Sequence, residues 1–296
     1  MDYVELLRDS PALRSVVAGL AGLLVGSFLN VVILRLPVML ERQWRAEFTE
    51  VSGTQSTVIA ETFNLVTPRS RCPACGSRIQ AHHNVPVLSW LLLRGRCANC
   101  RARISIRYPV IELMSGLLSA VVAWHFGFGF VSVAGLVLTW FLLAMTFIDV
   151  DHQLLPDSLT LPLLWLGLLL SLAHGPDAGP LPVSPQDAII GAAAGYLFLW
   201  LVFHAFRLLT GKEGMGYGDF KLFGALGAWL GWQMLPLILL LSAGVGAIIG
   251  VALILIRRQG RDVPIPFGPY LAGAGWIALL WGNDLVEGYL SVSGLR

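Results

Sequence analysis

Charge is what this 296-residue chain has least of: Asp, Glu, Lys and Arg together make up 13% of it, about half the share in ordinary soluble domains. Hydrophobic residues make up 56% and mean hydropathy is +0.72, which excludes disorder and argues against a soluble globular enzyme. Nor is there a marked excess of one sign. Twenty Lys and Arg against eighteen Asp and Glu give a net charge of +2, too small a surplus to argue for nucleic acid as the main partner. Cysteine is limited to four residues in two close pairs, which does not describe a disulfide-stapled miniprotein. There is no GxSxG and no HExxH, so two common hydrolase chemistries lack their signatures. No GxGxxG follows a predicted strand, so no Rossmann-type nucleotide site is expected. The first apolar segment has no small-residue cleavage site near its end and is read as an uncleaved anchor. No internal repeat or low-complexity tract is evident.

What the chain has in quantity is apolar runs. A bilayer core of about 30 Å takes roughly 20 mainly apolar residues per helix, and eight segments qualify on a loose reading: 13–34, 109–126, 129–149, 158–174, 186–208, 220–235, 236–256 and 267–287. The interval 35–108 differs in kind. It holds 11 of the 20 basic residues, all arginine, together with every cysteine, and it has no apolar run long enough to cross. The expectation is an all-α polytopic membrane protein of about eight transmembrane helices, with a small water-facing insert between helices 1 and 2. Its parts are an N-terminal segment with the first span (1–37), the cysteine-bearing insert (38–108) and a seven-helix membrane domain (109–296).

Sidedness follows from the arginines. With the insert in the cytoplasm, the loops carrying Arg207, Lys212 and Lys221, and Arg257, Arg258 and Arg261, share its side. Seventeen of the 20 basic residues then face in, and only Arg8, Arg14 and Arg296 face out, as the positive-inside rule requires. Both termini are therefore expected in the periplasm.

The cysteines form CxxC-x21-CxxC: Cys72 and Cys75, then Cys97 and Cys100. Each pair can turn two thiolates toward one tetrahedral centre, and an S4 set suits structural zinc in a zinc-ribbon-like insert. A reducing cytoplasm disfavours the disulfide alternative. Such a metal would give an Arg-rich segment of modest apolar content the nucleus it otherwise lacks.

Acids at the ends of spans carry the remaining information, because charge at membrane depth is costly and marks function. Asp149 closes the third span in Ile148-Asp149-Val150-Asp151, and Asp219 opens the sixth in Gly216-Tyr217-Gly218-Asp219-Phe220-Lys221. Two carboxylates sharing a proton can activate water and protonate a leaving amine, the chemistry of aspartic proteases. Asp151 and Asp157 read instead as an interface charge and a helix cap. Without Cβ atoms, Gly216 and Gly218 would let a substrate strand come close. Lys221 reads either as a support for the cleft or as an interfacial anchor.

Taken in order, Gly26-Ser27-Phe28-Leu29-Asn30-Val31 with Arg35-Leu36-Pro37, the cysteine quartet, Ile148-Asp149 with Pro156-Asp157, the GxGD run with Lys221, and Pro264-Ile265-Pro266-Phe267-Gly268-Pro269 resemble the type IV prepilin peptidases, GxGD aspartic peptidases of the membrane. The resemblance covers nearly the whole chain. It implies a catalytic dyad of Asp149 and Asp219 at the cytoplasmic face of the bacterial inner membrane. It implies cleavage of short basic leaders from type IV prepilins and type II secretion pseudopilins, and methylation of the new N-terminal residue, often Phe, from S-adenosylmethionine. Lipid bilayer and the pilus or secretion machinery are the further partners it implies. The run 264–269 either lines the cleft or simply starts a helix. Glu112, at the mouth of the second span, is a candidate for methyl transfer or an acid paired with a nearby arginine. Glu41, Glu47, Glu50 and Glu61 could meet a basic leader or simply be solvated.

Overall fold

The computed structural model describes residues 3–51, 62–175, 181–257 and 266–294. Glu61, Arg258, Arg261, Pro264, Ile265 and Arg296 lie outside the described residues. Within them the chain is helical, with no strand and only two isolated β-bridges. It divides into two compact units, Met1–Phe128 and Gly129–Arg296.

The first unit contains α1 (Tyr3–Asp9), α2 (Pro11–Val51), α3 (Leu88–Leu92) and α4 (Arg107–Phe126). Helix α2 runs 41 residues without a break, about 60 Å at 1.5 Å per residue. Pro37 lies inside it, so the boundary expected there from composition falls within a helix. The stretch beyond Pro37 stays helical partly through pairs one turn apart: Glu41 with Arg45 at 2.6 Å, and Gln43 with Glu47 at 3.0 Å. Helices α2 and α4 pack antiparallel, as Arg14 reaches the Ala123 carbonyl at one end and Asn30 donates to the Tyr108 carbonyl at the other. Small residues make the contact close. Ser115 donates to the Gly22 carbonyl at 2.6 Å, and a Cβ on Gly26 would lie 2.8 Å from the Glu112 Cα, the packing expected where lipid removes any hydrophobic drive between helices.

The second unit contains α5 (Phe130–His152), α6 (Asp157–Ser171), α7 (Pro185–Thr210), α8 (Tyr217–Leu230), α9 (Leu235–Arg257) and α10 (Gly268–Val292). Local signals set its boundaries. Ser184 caps α7 by accepting the Asp187 N–H, Pro185 follows at the first helical position, and Gly211 at φ 70° ends the helix. Helix α5 ends at Gln153, also left-handed at φ 51°. Helix α8 is packed among α6, α7 and α10, and from Asp219 to Leu230 only Lys221 is not buried, as its apolar residues on every side demand. Gly191 and Gly227 bring α7 and α8 into backbone contact. The Trp229 indole donates to the Leu163 carbonyl of α6 at 2.8 Å.

Each of the eight expected spans has its helix, in α2 and α4 to α10. Among the described residues, five stretches are long and apolar enough to cross a membrane: Pro11–Val51, Arg107–Phe126, Phe130–His152, Pro185–Thr210 and Trp232–Leu253. Helices α6 and α8, at 15 and 14 residues, reach only about 21–23 Å.

Candidate functional site

In the second unit the two carboxylates sit at opposite kinds of helix end. Asp149 occupies the last turn of α5 and is 5% exposed; its Oδ2 accepts the N–H of Gly268, the first residue of α10, at 3.0 Å. Asp219 is the third residue of α8 and is 6% exposed; its Oδ2 accepts the Gly216 N–H at 3.2 Å, closing the first turn on itself. The two carboxylates interact electrostatically. Leu155, in the link from α5 to α6, lies against two glycines next to the acids: a Cβ on Gly218 would lie 2.5 Å from the Leu155 Cβ, and one on Gly268 would lie 2.6 Å from Asp149 Oδ2 and 3.2 Å from Leu155 Cδ1. Gly218 therefore serves first to pass Leu155, and Gly216 to present its N–H to Asp219. Two buried acids, each held by one backbone donor, form a site able to hold and pass a proton.

Lys221 does not join the carboxylates. Its ammonium pairs with Asp157 at 2.5 Å, tying the start of α8 to the start of α6. Asp157 is the first residue of α6 rather than its cap. Gly268 is a contact of Asp149 that sequence reasoning did not single out. Its run was noted as either lining the cleft or starting a helix, and Gly268 starts α10 while holding Asp149.

The cysteines gather in the first unit. Their four Sγ atoms lie within 4.8 Å of one another, with Cys72 and Cys100 at 3.8 Å. Four sulfurs about 2.3 Å from one tetrahedral zinc stand about 3.8 Å apart, so the spacing suits a shared ion and is far too long for a disulfide. The two pairs are built alike. Gly76 donates to the Cys72 carbonyl and Arg101 to the Cys97 carbonyl; both donors are left-handed, at φ 68° and 63°, and bridges join Arg71 to Arg78 and Arg96 to Arg103. An eight-residue repeat, R-C-x-x-C-x-x-R at 71–78 and 96–103, was the signal for this, too short to register as an internal repeat. Hydrogen bonds from Ser77 lower the Cys75 thiol to about 6. At Cys100 the Ala102 N–H pulls the other way, but hydrogen bonding with Cys75 and desolvation push that thiol up to about 11. The sulfurs thus compete for protons as a group.

Glu112 is also in the first unit, in the second turn of α4 and 8% exposed. It is not paired with an arginine: Oε2 accepts the Val87 N–H at 2.7 Å, and the carboxylate is hydrogen-bonded to Ser27. Glu41, Glu47 and Glu50 lie exposed along the end of α2.

Comparison with known proteins is consistent across the chain. Residues 20–126 match the family model for the bacterial peptidase A24 N-terminal domain, and residues 136–251 that for the type IV leader peptidase family. A prepilin leader peptidase/N-methyltransferase of Stutzerimonas stutzeri is 54% identical over 295 residues, covering 100% of both chains. One of Aeromonas salmonicida (strain A449) is 57% identical over 97% of this chain and 98% of its own, and one of Legionella pneumophila 45% identical over 96% and 97%. No solved structure matches.

Proposed function

Because the chain belongs to the type IV leader peptidase family, we propose that it removes the short basic leader from type IV prepilins and related pseudopilins and N-methylates the residue so exposed. The observation that carries the first activity is the pair of buried, interacting carboxylates of Asp149 and Asp219, each oriented by a backbone N–H. In the sharing state one acid is ionised and the other protonated. The ionised carboxylate takes a proton from water as the oxygen attacks the scissile carbonyl, and the protonated one hydrogen-bonds the carbonyl oxygen as it gains charge. Returning a proton to the amide nitrogen lets the C–N bond break and restores the pair. Gly268 and Gly216 hold the carboxylates in place, and the close pass of Gly218 over Leu155 fixes the α8 terminus against the α5–α6 link. Lys221 supports this arrangement through Asp157.

Cys72, Cys75, Cys97 and Cys100 would hold zinc, a cross-link for a segment with little apolar core of its own. S-adenosylmethionine, when bound, would supply an electrophilic methyl group to the new terminal amine. Glu112 is the carboxylate we assign to that activity. The chain works in the bacterial inner membrane, among lipid and the pilus or type II secretion machinery. Its arginine distribution argues for a cytoplasmic metal segment and catalytic face, with both termini periplasmic. The test is to incubate purified protein with a prepilin and S-adenosylmethionine and weigh the products. Loss of the leader and a further gain of one methyl are expected, and an uncut prepilin would refute the peptidase reading.

A further inference from the structure

No nucleotide-binding motif marks where a methyl donor would sit, but the first unit contains a cavity of about 890 Å³ whose lining residues run from Ser27 to Glu112. That volume is within the range of small-molecule sites, about 300–1,000 Å³. Glu112 brings a carboxylate more than nine-tenths buried, and Trp90 and Tyr108 bring aromatic rings. Arg35, Arg71, Arg78 and Arg103 also line the cavity. The carboxylate is held deliberately. It accepts the N–H of Val87, a β-branched residue at φ 60°, a conformation that costs energy and persists only where the surroundings enforce it.

A lipid tail would not call for a buried carboxylate, and an anionic headgroup would be repelled by it. A basic leader peptide would suit Glu112 but meet four arginines. A ligand with a cationic centre, a carboxylate and a planar ring satisfies all of these groups at once. We propose that this cavity is the S-adenosylmethionine site, with Glu112 facing the donor's positive charge, the arginines its carboxylate and the aromatic side chains its adenine. The inference rests on the methyltransferase part of the proposed function, and it places the donor wholly within the unit that bears the cysteines.

The experiment uses the full-length protein in detergent. Binding of S-adenosylmethionine and of S-adenosylhomocysteine, which lacks the sulfonium charge, is measured by calorimetry for wild type and Glu112→Gln. Glutamine retains an oxygen for the Val87 N–H. Zinc content and thermal unfolding show that the variant is folded. A carboxylate facing the sulfonium predicts that the substitution weakens S-adenosylmethionine about tenfold or more and S-adenosylhomocysteine by less than about threefold. Equal weakening of both, or of neither, would overturn the assignment. Independently of folding of the variant, tritiated S-adenosylmethionine is cross-linked to wild type by ultraviolet light and the labelled peptide mapped. Label between residues 71 and 112 is expected, and label within 129–294 would overturn the proposal while leaving the methyltransferase reading intact. A wild-type protein that neither binds the donor nor methylates a prepilin it has cut would refute that parent reading instead.

Discussion

Gly268→Ala is the substitution through which the geometry of the dyad can be tested without touching either acid. Alanine keeps the backbone N–H that Asp149 accepts, so the hydrogen bond survives in principle. The added Cβ, however, would lie 2.6 Å from Asp149 Oδ2 and 3.2 Å from Leu155 Cδ1. Carbon and oxygen meet without overlap at about 3.3 Å, so the carboxylate must retreat by about 0.7 Å. Overpacking of this kind costs about 1–3 kcal/mol, and misplacing a reacting group by about 1 Å can cost about 100-fold in rate. Single-turnover cleavage of a synthetic prepilin should slow roughly 10- to 100-fold, with little change in substrate affinity. Gly273→Ala on the same helix is the control, since a Cβ there meets nothing within 4 Å. Replacing glycine inside a helix gains about 0.5–1 kcal/mol, so that variant should cleave normally and melt no earlier. Gly268→Ala cleaving within about twofold of wild type would refute the claim that Gly268 positions Asp149.

Three further expectations follow from contacts away from the carboxylates. Lys221→Met and Asp157→Asn should each cost little stability, about 0.2–1 kcal/mol for a partly exposed pair, and the double variant should cost no more than either single one; a large, additive loss in thermal unfolding would contradict the pairing. Trp229→Phe removes the donor to the buried Leu163 carbonyl and should destabilise by about 1–3 kcal/mol, read as an earlier unfolding midpoint. Cys72→Ser should release the metal, measured as zinc per chain by mass spectrometry, and leave residues 62–106 open to limited proteolysis; full zinc retention would contradict a four-cysteine site.

Much of the helical layout was legible because lipid imposes a simple rule. Backbone groups with no water to bond must bond within a helix, so long apolar runs such as 129–149 and 236–256 had one available form. Helix α8 was legible for the same reason, although at 14 residues it does not reach across a bilayer alone. The run of α2 through Pro37 was not, because proline normally ends a helix by removing one hydrogen bond. The pairs beyond it, Glu41 with Arg45 and Gln43 with Glu47, provide local support that a proline rule does not weigh. Asp149 and Asp219 stood out as acids where charge is scarce, and the quartet by its spacing. The long-range partners did not, because they are set by tertiary contact: Gly268 lies 119 positions from Asp149, and Lys221, itself noted as a possible support, finds Asp157 64 positions away. Glu112 was visible as an acid near a span, but nothing in its neighbourhood of sequence announced Val87 or the cavity it lines.

The central claim, that Asp149 and Asp219 act as one catalytic unit, is tested most directly by single-turnover leader cleavage with Asp149→Asn, Asp219→Asn and the double variant, all checked for folding by thermal unfolding. If the pair shares one proton and one task, each single substitution lowers the rate by about 1,000-fold or more and the double variant is no slower than either, since residues acting as a unit are not additive. A single variant that retains cleavage within about tenfold of wild type would contradict the account.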